Sequence, residues 1–346
     1  MTRLMQAGSI FYVKVSNKKN FKYPKTDESR HYGHIMPSFL SKLRFDDLPS
    51  AGLAAMPAVF VLLWSTGFIG AKFGLPFAEP FTFLFIRFVL TLLLLIPLVL
   101  VMRIPWPSSP KLWTHIAISG LLVHGAYLGG VFYGIYLGMP AGLAALLVGL
   151  QPLLTAVFAG PLLGEQLSGR QWVGLGLGLM GISLVLGSKL EIGESLFDGF
   201  GISALLSVTA ALMGISLGTL YQKRYCTSMP LLSGAIIQYL AAAALLGVGA
   251  MLFESRQVAW SSTFVLTLAW LVLILSIAAI LLLMALIKKG EASRVASLFY
   301  LVPPVTALQA WWLFDERLPF LGLVGMVVAI TGVVMVIRKP VNKTTR

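Results

Sequence analysis

Charged residues are scarce in this sequence, and cysteine is almost absent. Only 11% of the 346 residues are Asp, Glu, Lys or Arg, whereas 58% are hydrophobic and the mean hydropathy is +0.87. A soluble fold of this length could not cover so much apolar surface, so the composition excludes one and indicates a polytopic membrane protein. The single cysteine, Cys226, excludes an intramolecular disulfide and any metal site built from cysteines. We interpret it as a packing residue near a helix end.

Acidic residues are also few, 13 against 26 basic ones, which leaves a net charge of +13. The basic residues concentrate in the N-terminal extension and in alternate loops, a distribution typical of membrane topology that argues against a nucleic-acid partner. In or beside its long apolar segments, the sequence has no Asp or Glu pair with a His, no metal-spaced ligands and no phosphate-binding glycine loop. We therefore expect no enzyme activity, no cofactor and no metal.

Ten apolar segments are long enough to cross a bilayer as helices, which takes about 20 apolar residues each. They lie near residues 54–71, 80–102, 112–137, 140–160, 170–188, 200–221, 230–253, 263–287, 292–313 and 318–338. The polar, basic residues 1–50 precede them, and we expect a disordered cytoplasmic extension there. Translation from Met36 is the alternative. Residues 339–346 form a short cytoplasmic tail.

An internal repeat organises the chain, because residues 140–186 match residues 291–337 without a gap, each position pairing with the one 151 residues later. We call this constant offset the repeat interval. Fifteen of the 47 positions are identical. The informative matches are Pro152 with Pro303, Thr155 with Thr306, Glu165 with Glu316, Gly174 with Gly325 and Gly181 with Gly332. We infer a tandem duplication with repeats at residues 51–190 and 195–338.

The number of segments per repeat sets the relative orientation of the repeats. Five helices are an odd number, so the second repeat enters the membrane upside down relative to the first. The predicted fold is therefore all-α, with ten transmembrane helices as two inverted five-helix repeats. Beyond the N-terminal extension, twelve Lys and Arg residues fall in inner regions and four in outer loops, which places both termini in the cytoplasm. Inverted repeats are typical of secondary transporters, whose substrate site lies between the halves near the midplane.

Short motifs in these segments resemble those of EamA-type permeases in the drug/metabolite transporter superfamily. They are the residues 62–68, Arg87 with Phe88, residues 141–144, Gln151 to Leu153, Leu163 to Glu165, Pro303, and Asp315 with Glu316. The resemblance covers about residues 52–338. It implies a ten-span permease that moves small metabolites, such as amino-acid-like compounds or drugs, often outward, by alternating access in a bacterial inner membrane. Asp315 departs from the pattern, because the first repeat has Gly164 there.

Polar and aromatic residues at membrane depth are the candidates for the substrate site, since such groups are costly in hydrocarbon unless they face a cavity or a partner. We assign substrate binding to Trp64, His124, Tyr127, Gln151, Gln238 and Tyr300. His124 and Tyr127 share helical spacing with Gly120, Val131 and Gly134, which predicts one face that lines a cavity or packs against a helix. A packing histidine is the alternative for His124.

Five further residues are candidates for moving or structural parts. Pro152 and Pro303 occupy matching mid-helix positions, where a proline removes a backbone hydrogen bond, and we expect kinks that act as hinges. Arg87 is assigned to a gate; it either snorkels to the interface or binds an anionic substrate group such as a carboxylate. Glu165 and Glu316 are expected to form structural turns before the next helix.

Other classes of function stay open at this point. A channel, or a helical membrane scaffold without transport activity, is the alternative to a carrier. The glycine faces around Gly174 and Gly325 could join the two halves or form a homodimer. Beyond that homodimer, the partners we expect are a small-molecule substrate and membrane lipid.

Overall fold

Helices make up the fold in the computed structural model, which describes residues 50–163, 168–187, 200–279, 282, 286, 298–316 and 319–337. Its α-helices are α1 Ser50–Gly74, α2 Pro80–Val101, α3 Pro110–Gly120, α4 Tyr127–Tyr136, α5 Ala141–Val148, α6 Gln151–Leu163, α7 Gly169–Gly187, α8 Ile202–Tyr225, α9 Leu231–Phe253, α10 Ser262–Ala269, α11 Val302–Phe314 and α12 Phe320–Ile337. Two π-helical segments, Leu121–Ala126 and Trp270–Ala278, extend α3 and α10. A 3₁₀ turn, Phe299–Leu301, precedes α11. Within these ranges the chain forms no β-strand.

Six of the described helical stretches are long and apolar enough to cross a membrane. They are Ala55–Gly74, Pro80–Val101, Pro110–Tyr136, Ala141–Gly160, Ile202–Tyr225 and Leu231–Phe253. Two shorter apolar stretches are Ser262–Ala278 and Phe320–Met335. A helix satisfies its own backbone hydrogen bonds in hydrocarbon, so such segments are suited to a bilayer. The chain is an integral membrane protein whose described part is helical.

An apolar core holds the helices together around aromatic rings. Phe83 of α2 is fully buried, and its ring centroid lies 5.4 Å from that of Phe132 in α4 and 5.2 Å from that of Phe264 in α10. Gly74, at the end of α1, lies against the same ring, since a Cβ there would come within 2.2 Å of it. The small residue allows α1 to end beside α2.

The helix bounds recur at the repeat interval found in the sequence. A shift by this interval carries α6 onto α11 at both ends, and it carries α1, α2 and α7 onto α8, α9 and α12 with ends that agree within one residue. The π-helical segment Leu121–Ala126 shifts to 272–277, which lies inside Trp270–Ala278. Departures from α-helical geometry therefore recur together with the helices.

Helices α7 and α12, which are equivalent under this shift, pack against each other. A Cβ at Gly181 would lie 2.4 Å from the Ala329 nitrogen and 2.5 Å from the Gly325 oxygen, and one at Gly332 would lie 2.4 Å from the Gly174 oxygen. Only glycine permits such close approach of two backbones. Gly174 and Gly181 correspond to Gly325 and Gly332, so the contacts are reciprocal. These glycines therefore join α7 to α12 within one chain.

Two carboxylates join the first turn of α2 to the loop after α9. Glu254 accepts hydrogen bonds from the backbone N–H groups of Phe81 and Thr82, both at 2.7 Å. Glu79 accepts one from the N–H of Ser255, also at 2.7 Å. The first N–H groups of a helix have no partner within it, and the helix dipole favours a negative charge there. The carboxylates therefore stabilise the contact between the two halves of the chain.

The prediction that Gly120, His124, Tyr127, Val131 and Gly134 share one helix face is wrong. A Cβ at Gly120 would lie 2.5 Å from a backbone atom of α9, whereas one at Gly134 would lie 2.4 Å from a side chain of α8. The π-helical segment between them has i→i+5 hydrogen bonds, which widen the turn and rotate the residues that follow. The regular spacing in the sequence therefore does not correspond to one face.

Candidate functional site

A pocket lies in the interior among α1, α4, α5, α6, α8 and α11. Its cavity volume is about 100 Å³, which is smaller than the about 300–1,000 Å³ that is usual for small-molecule sites. The pocket is lined by Trp64, Phe68, Val123, Tyr127, Ala145, Val148, Gly149, Gln151, Pro152, Ile215, Thr219, Gln222, Phe299, Tyr300, Val302 and Pro303. Most of these residues are apolar or aromatic, with a few polar groups among them.

The two repeats contribute equivalent positions to this pocket. Twelve of the sixteen lining residues form six pairs whose members are separated by the repeat interval. The pairs are Trp64 with Ile215, Phe68 with Thr219, Val148 with Phe299, Gly149 with Tyr300, Gln151 with Val302, and Pro152 with Pro303. Only the prolines are identical, so the pocket is symmetric in its backbone positions and asymmetric in its side chains.

Both repeats interrupt a helix at the pocket, next to the matching prolines. In the first repeat α5 and α6 are separated by two residues, and Pro152 has no N–H to donate to the carbonyl of Val148. In the second repeat the 3₁₀ turn precedes Pro303 and Pro304, so the carbonyl of Tyr300 lacks the donors that a helix would supply three and four residues later. Interrupted helices with free carbonyls are a feature of transporter binding sites.

A few polar side chains line the pocket. The Gln151 Nε2 donates a hydrogen bond to the Thr219 Oγ1 at 3.0 Å, and that hydroxyl donates to the Ile215 carbonyl at 2.6 Å. The Tyr300 hydroxyl is buried and has no hydrogen-bond partner in the described part of the chain. Leaving such a group unpaired costs about 1–3 kcal/mol, so a polar substrate group would gain from bonding it. No group of three metal-ligating side chains occurs among the described residues.

Three aromatic rings support another wall. The ring centroids of Phe60, Trp64 and Phe299 lie 5.2–5.3 Å from one another, and the Trp64 and Phe299 rings meet edge to face. Phe60 is fully buried behind the two rings that line the pocket. Such edge-to-face packing is favourable and holds the rings in a defined orientation. The wall can therefore present a fixed apolar surface to a ligand.

The structure brings six of the predicted site residues together at the pocket. They are Trp64, Tyr127, Gln151, Pro152, Tyr300 and Pro303. His124 is not among them; its ring packs 4.7 Å from Tyr239 and 6.1 Å from Phe88, measured between centroids. Gln238 is buried away from the pocket and donates to Ser119 at 2.8 Å. The assignment of these residues to substrate binding stays a prediction.

Arg87 is also buried, with 5% of its surface exposed. Its Nη2 donates a hydrogen bond to the Ser276 hydroxyl at 3.2 Å, and its Nε has no partner. Tyr127 and Tyr239 lie within electrostatic range of the guanidinium. The alternative that Arg87 snorkels to the end of its helix is therefore wrong, because neighbouring helices enclose the side chain.

Glu316 makes contacts well beyond its own turn. It forms a salt bridge with Lys72 of α1 and accepts hydrogen bonds from the N–H groups of Ala141 and Gly142 at 3.3 and 3.4 Å. The carboxylate thus caps the first turn of α5, where unpaired N–H groups favour a negative charge. Its counterpart in the first repeat, Glu165, lies outside the described residues.

Several pocket residues were not predicted from the sequence, among them Phe68, Thr219 and Gln222. One signal could have found part of this set. Extending the repeat interval from Trp64 and Phe68 reaches Ile215 and Thr219, which line the pocket opposite them. Gln222 has no such counterpart in the lining. Its place there depends on how α8 packs, which the sequence does not state.

Comparisons with known proteins cover most of the chain. The model of the EamA-like transporter family matches twice, at residues 52–187 and 201–338. An uncharacterized transporter of Bacillus subtilis, YvbV, is 26% identical over 295 residues, which covers 84% of this chain and 92% of that protein. A protein of Escherichia coli named probable amino-acid metabolite efflux pump is 28% identical over 283 residues, which cover 79% of this chain and 90% of that protein. The uncharacterized inner membrane transporter YedA of the same species is 28% identical over a region that covers 82% of this chain and 89% of that protein.

A solved crystal structure also resembles this fold. It superimposes with a TM-score of 0.56 at 22% sequence identity and covers 83% of this chain and 96% of its own. At that level of identity the likeness concerns the fold. It shows that this arrangement of helices has been observed experimentally.

Proposed function

This chain belongs to the EamA-like transporter family, so it is a membrane transporter and not an enzyme, and we propose that it exports small amino-acid-like metabolites by alternating access. The pocket built from six equivalent pairs of residues carries this proposal. Secondary transporters bind substrate where two repeats meet. The direction and the substrate class are supported by the similar E. coli protein named probable amino-acid metabolite efflux pump.

The proposal includes ten transmembrane helices arranged as two inverted five-helix repeats in a bacterial inner membrane, with both termini in the cytoplasm. The recurrence of helix bounds at the repeat interval supports the repeats. The reciprocal glycine contacts between α7 and α12 support an approximate two-fold axis, because such an axis makes each partner contact the other through the same positions. The excess of Lys and Arg in the expected inner loops supports the orientation.

The chemistry of the pocket is consistent with a compound that has both an apolar and a polar part. Trp64 and Phe299 supply the rigid aromatic wall, while Gln151, Thr219 and Tyr300 supply hydrogen-bonding groups. Alternating access requires the helices around the site to shift, and the breaks before Pro152 and Pro303 provide flexible points in both halves. Drugs with a similar division into apolar and polar parts would also fit.

Counterflow in liposomes tests the proposal. Liposomes that contain the protein and are loaded with unlabelled L-leucine or L-phenylalanine should accumulate the labelled amino acid. Loaded liposomes without the protein should not. Replacing Tyr300 with Phe should slow this exchange, whereas Gly176→Ala should not, because nothing lies within 4 Å of a Cβ at Gly176. Failure of amino acids, uridine and ethidium alike would contradict the proposal. Uptake without stimulation by internal substrate would indicate a channel.

A further inference from the structure

Arg87 and Gln238 occupy equivalent positions in the two repeats but differ in chemistry. The Gln238 Nε2 donates hydrogen bonds to the Ser119 hydroxyl at 2.8 Å and to the Gln222 Oε1 at 3.3 Å. Arg87 puts a cation in the corresponding place, where its Nη2 bonds the Ser276 hydroxyl and its Nε bonds nothing. The second repeat thus fills this position with a neutral amide.

Within the described residues no carboxylate compensates this charge. Glu316 pairs with Lys72, while Glu79 and Glu254 bond backbone groups at the contact between α2 and the loop after α9. Burying a charge without a partner costs free energy of folding. Ionisable residues inside membrane segments mark substrate or ion pathways. A guanidinium whose Nε has no hydrogen-bond partner, and which has no carboxylate partner among the described residues, therefore indicates a site for an anion.

Arg87 bonds a residue of one π-helical segment of the described chain and is influenced electrostatically by the residue that follows the other. Its hydrogen-bond partner Ser276 lies in Trp270–Ala278, and Tyr127, which interacts with the guanidinium electrostatically, directly follows Leu121–Ala126. π-Helical turns are rare and frequently occur at functional sites. Two of them at equivalent places around one charge are a second indication of a site, independent of the missing counter-charge.

Arg87 is connected to the pocket through Tyr127. This tyrosine lines the pocket and also lies within electrostatic range of the guanidinium. A ligand whose apolar part lies against Trp64 and Phe299 has Tyr127 beside it. The Tyr127 ring would have to move for a negatively charged end of the ligand to reach Arg87.

We propose that Arg87 recognises the carboxylate of the transported substrate, with the apolar part of the substrate in the pocket. The planar guanidinium offers two parallel N–H donors, and the free Nε can supply one of them, a geometry that matches a carboxylate. The inference rests on the proposed function and narrows its substrate class to small organic carboxylates, amino acids among them. Amines and amides of the same shape are then poor substrates.

Competition during counterflow tests this inference on the unmodified protein. Labelled L-leucine and L-phenylalanine are each competed with the unlabelled acid or with its carboxamide, L-leucinamide or L-phenylalaninamide. A further competitor, 3-phenylpropionate, keeps the carboxylate and lacks the amine. We expect the unlabelled amino acids and 3-phenylpropionate to compete. The carboxamides should compete roughly 30-fold more weakly, because they lack the charge that pairs with a buried cation.

Variants at position 87 identify the residue responsible. Arg87→Gln copies the side chain of the equivalent position 238, so we expect the fold to persist and the preference for the acid over the amide to disappear. Arg87→Lys keeps the charge but not the planar fork, and should retain part of the preference. The control is Arg256→Gln, which removes an exposed loop cation and should leave the preference unchanged. Size-exclusion profiles establish that each variant is folded.

The outcomes separate this inference from the proposed function. Equal competition by acid and amide in the unmodified protein would overturn carboxylate recognition while transport stands. A preference that survives in folded Arg87→Gln would overturn the role of Arg87. Should Arg87→Gln fail to fold, the competition series and Arg87→Lys decide. Absence of exchange with the amino acids, uridine and ethidium alike would refute the proposed function itself.

Discussion

Lys72, near the end of α1, forms a salt bridge with Glu316, which lies just after the end of α11. The same carboxylate accepts hydrogen bonds from the first N–H groups of α5. Glu316 therefore joins three helix ends, two from the first half of the chain and one from the second. Trp64 of the pocket lies eight residues before Lys72, or ~12 Å along the helix at ~1.5 Å per residue. The bridge lies beyond one end of the pocket.

Loss of the Glu316 charge should weaken this junction. In Glu316→Gln the salt bridge is removed and the cap of α5 loses its charge, and we expect destabilisation of about 1–2 kcal/mol. The thermal unfolding midpoint in detergent should fall accordingly. The control is Lys111→Gln, which removes an exposed charge in the first turn of α3. An unchanged midpoint in Glu316→Gln would show that the junction contributes nothing to stability.

The repeat predicts a second junction at the other end of the pocket. In the sequence, Lys223 and Glu165 lie one repeat interval from Lys72 and Glu316, although Glu165 is outside the described residues. If each pair closes one end, Lys72→Met and Lys223→Met should have opposite effects. The readout is labelling of Phe68→Cys in the pocket by an impermeant maleimide. One of the two Lys→Met variants should increase this labelling from one side of the membrane, and the other variant should increase it from the opposite side. An increase from the same side in both variants would exclude paired gates.

Close packing of α7 on α12 predicts that Gly181 tolerates no side chain. A Cβ there would lie 2.4 Å from the Ala329 nitrogen, so Gly181→Ala must push the helices apart and should cost about 1–3 kcal/mol. Gly176 lies on the same helix with nothing within 4 Å of its Cβ position. Gly176→Ala should therefore be neutral or stabilising by up to about 1 kcal/mol, from helix propensity alone. Thermal unfolding of the two variants side by side tests the packing, and equal midpoints would contradict it.

The single cysteine should be nearly inert in the folded protein. Cys226 follows α8, and burial raises the pKa of its thiol to about 11, against a weaker lowering by a hydrogen bond from Ser119. Because the thiolate is the reactive form, maleimide labelling at neutral pH should be slow and should rise roughly tenfold per pH unit below this pKa. Labelling in SDS should be fast at neutral pH. Rapid labelling of the folded protein at neutral pH would show that the thiol is exposed.

The sequence was informative where one residue type has one structural effect. Pro152 and Pro303 can be read directly, because a proline removes a hydrogen bond wherever it occurs, and both helix breaks lie immediately before these residues. The repeat interval then identifies equivalent positions without any structure. Six of the candidate residues line one pocket, namely the two prolines and four polar or aromatic residues that were chosen for their depth in the membrane.

Other features depend on packing between distant parts of the chain. The residues of Leu121–Ala126 have no composition that distinguishes a π-helix from an α-helix, so the change of face within the third span could not be foreseen. The depth of Arg87 depends on which helices surround α2, and its partner Ser276 comes from the other half of the chain. His124 was a reasonable candidate by depth alone, yet aromatic neighbours from two other helices occupy its surroundings.

Membrane topology at two equivalent positions tests the inverted repeat directly. Gly169 and Phe320 begin α7 and α12 and are separated by the repeat interval; nothing lies within 4 Å of a Cβ at Gly169, and Phe320 is 81% exposed. In a Cys226→Ser background, an impermeant maleimide applied to intact cells should label Phe320→Cys, and Gly169→Cys should be labelled only after the cells are opened. Labelling of both positions from the same side would contradict two inverted halves around a shared pocket.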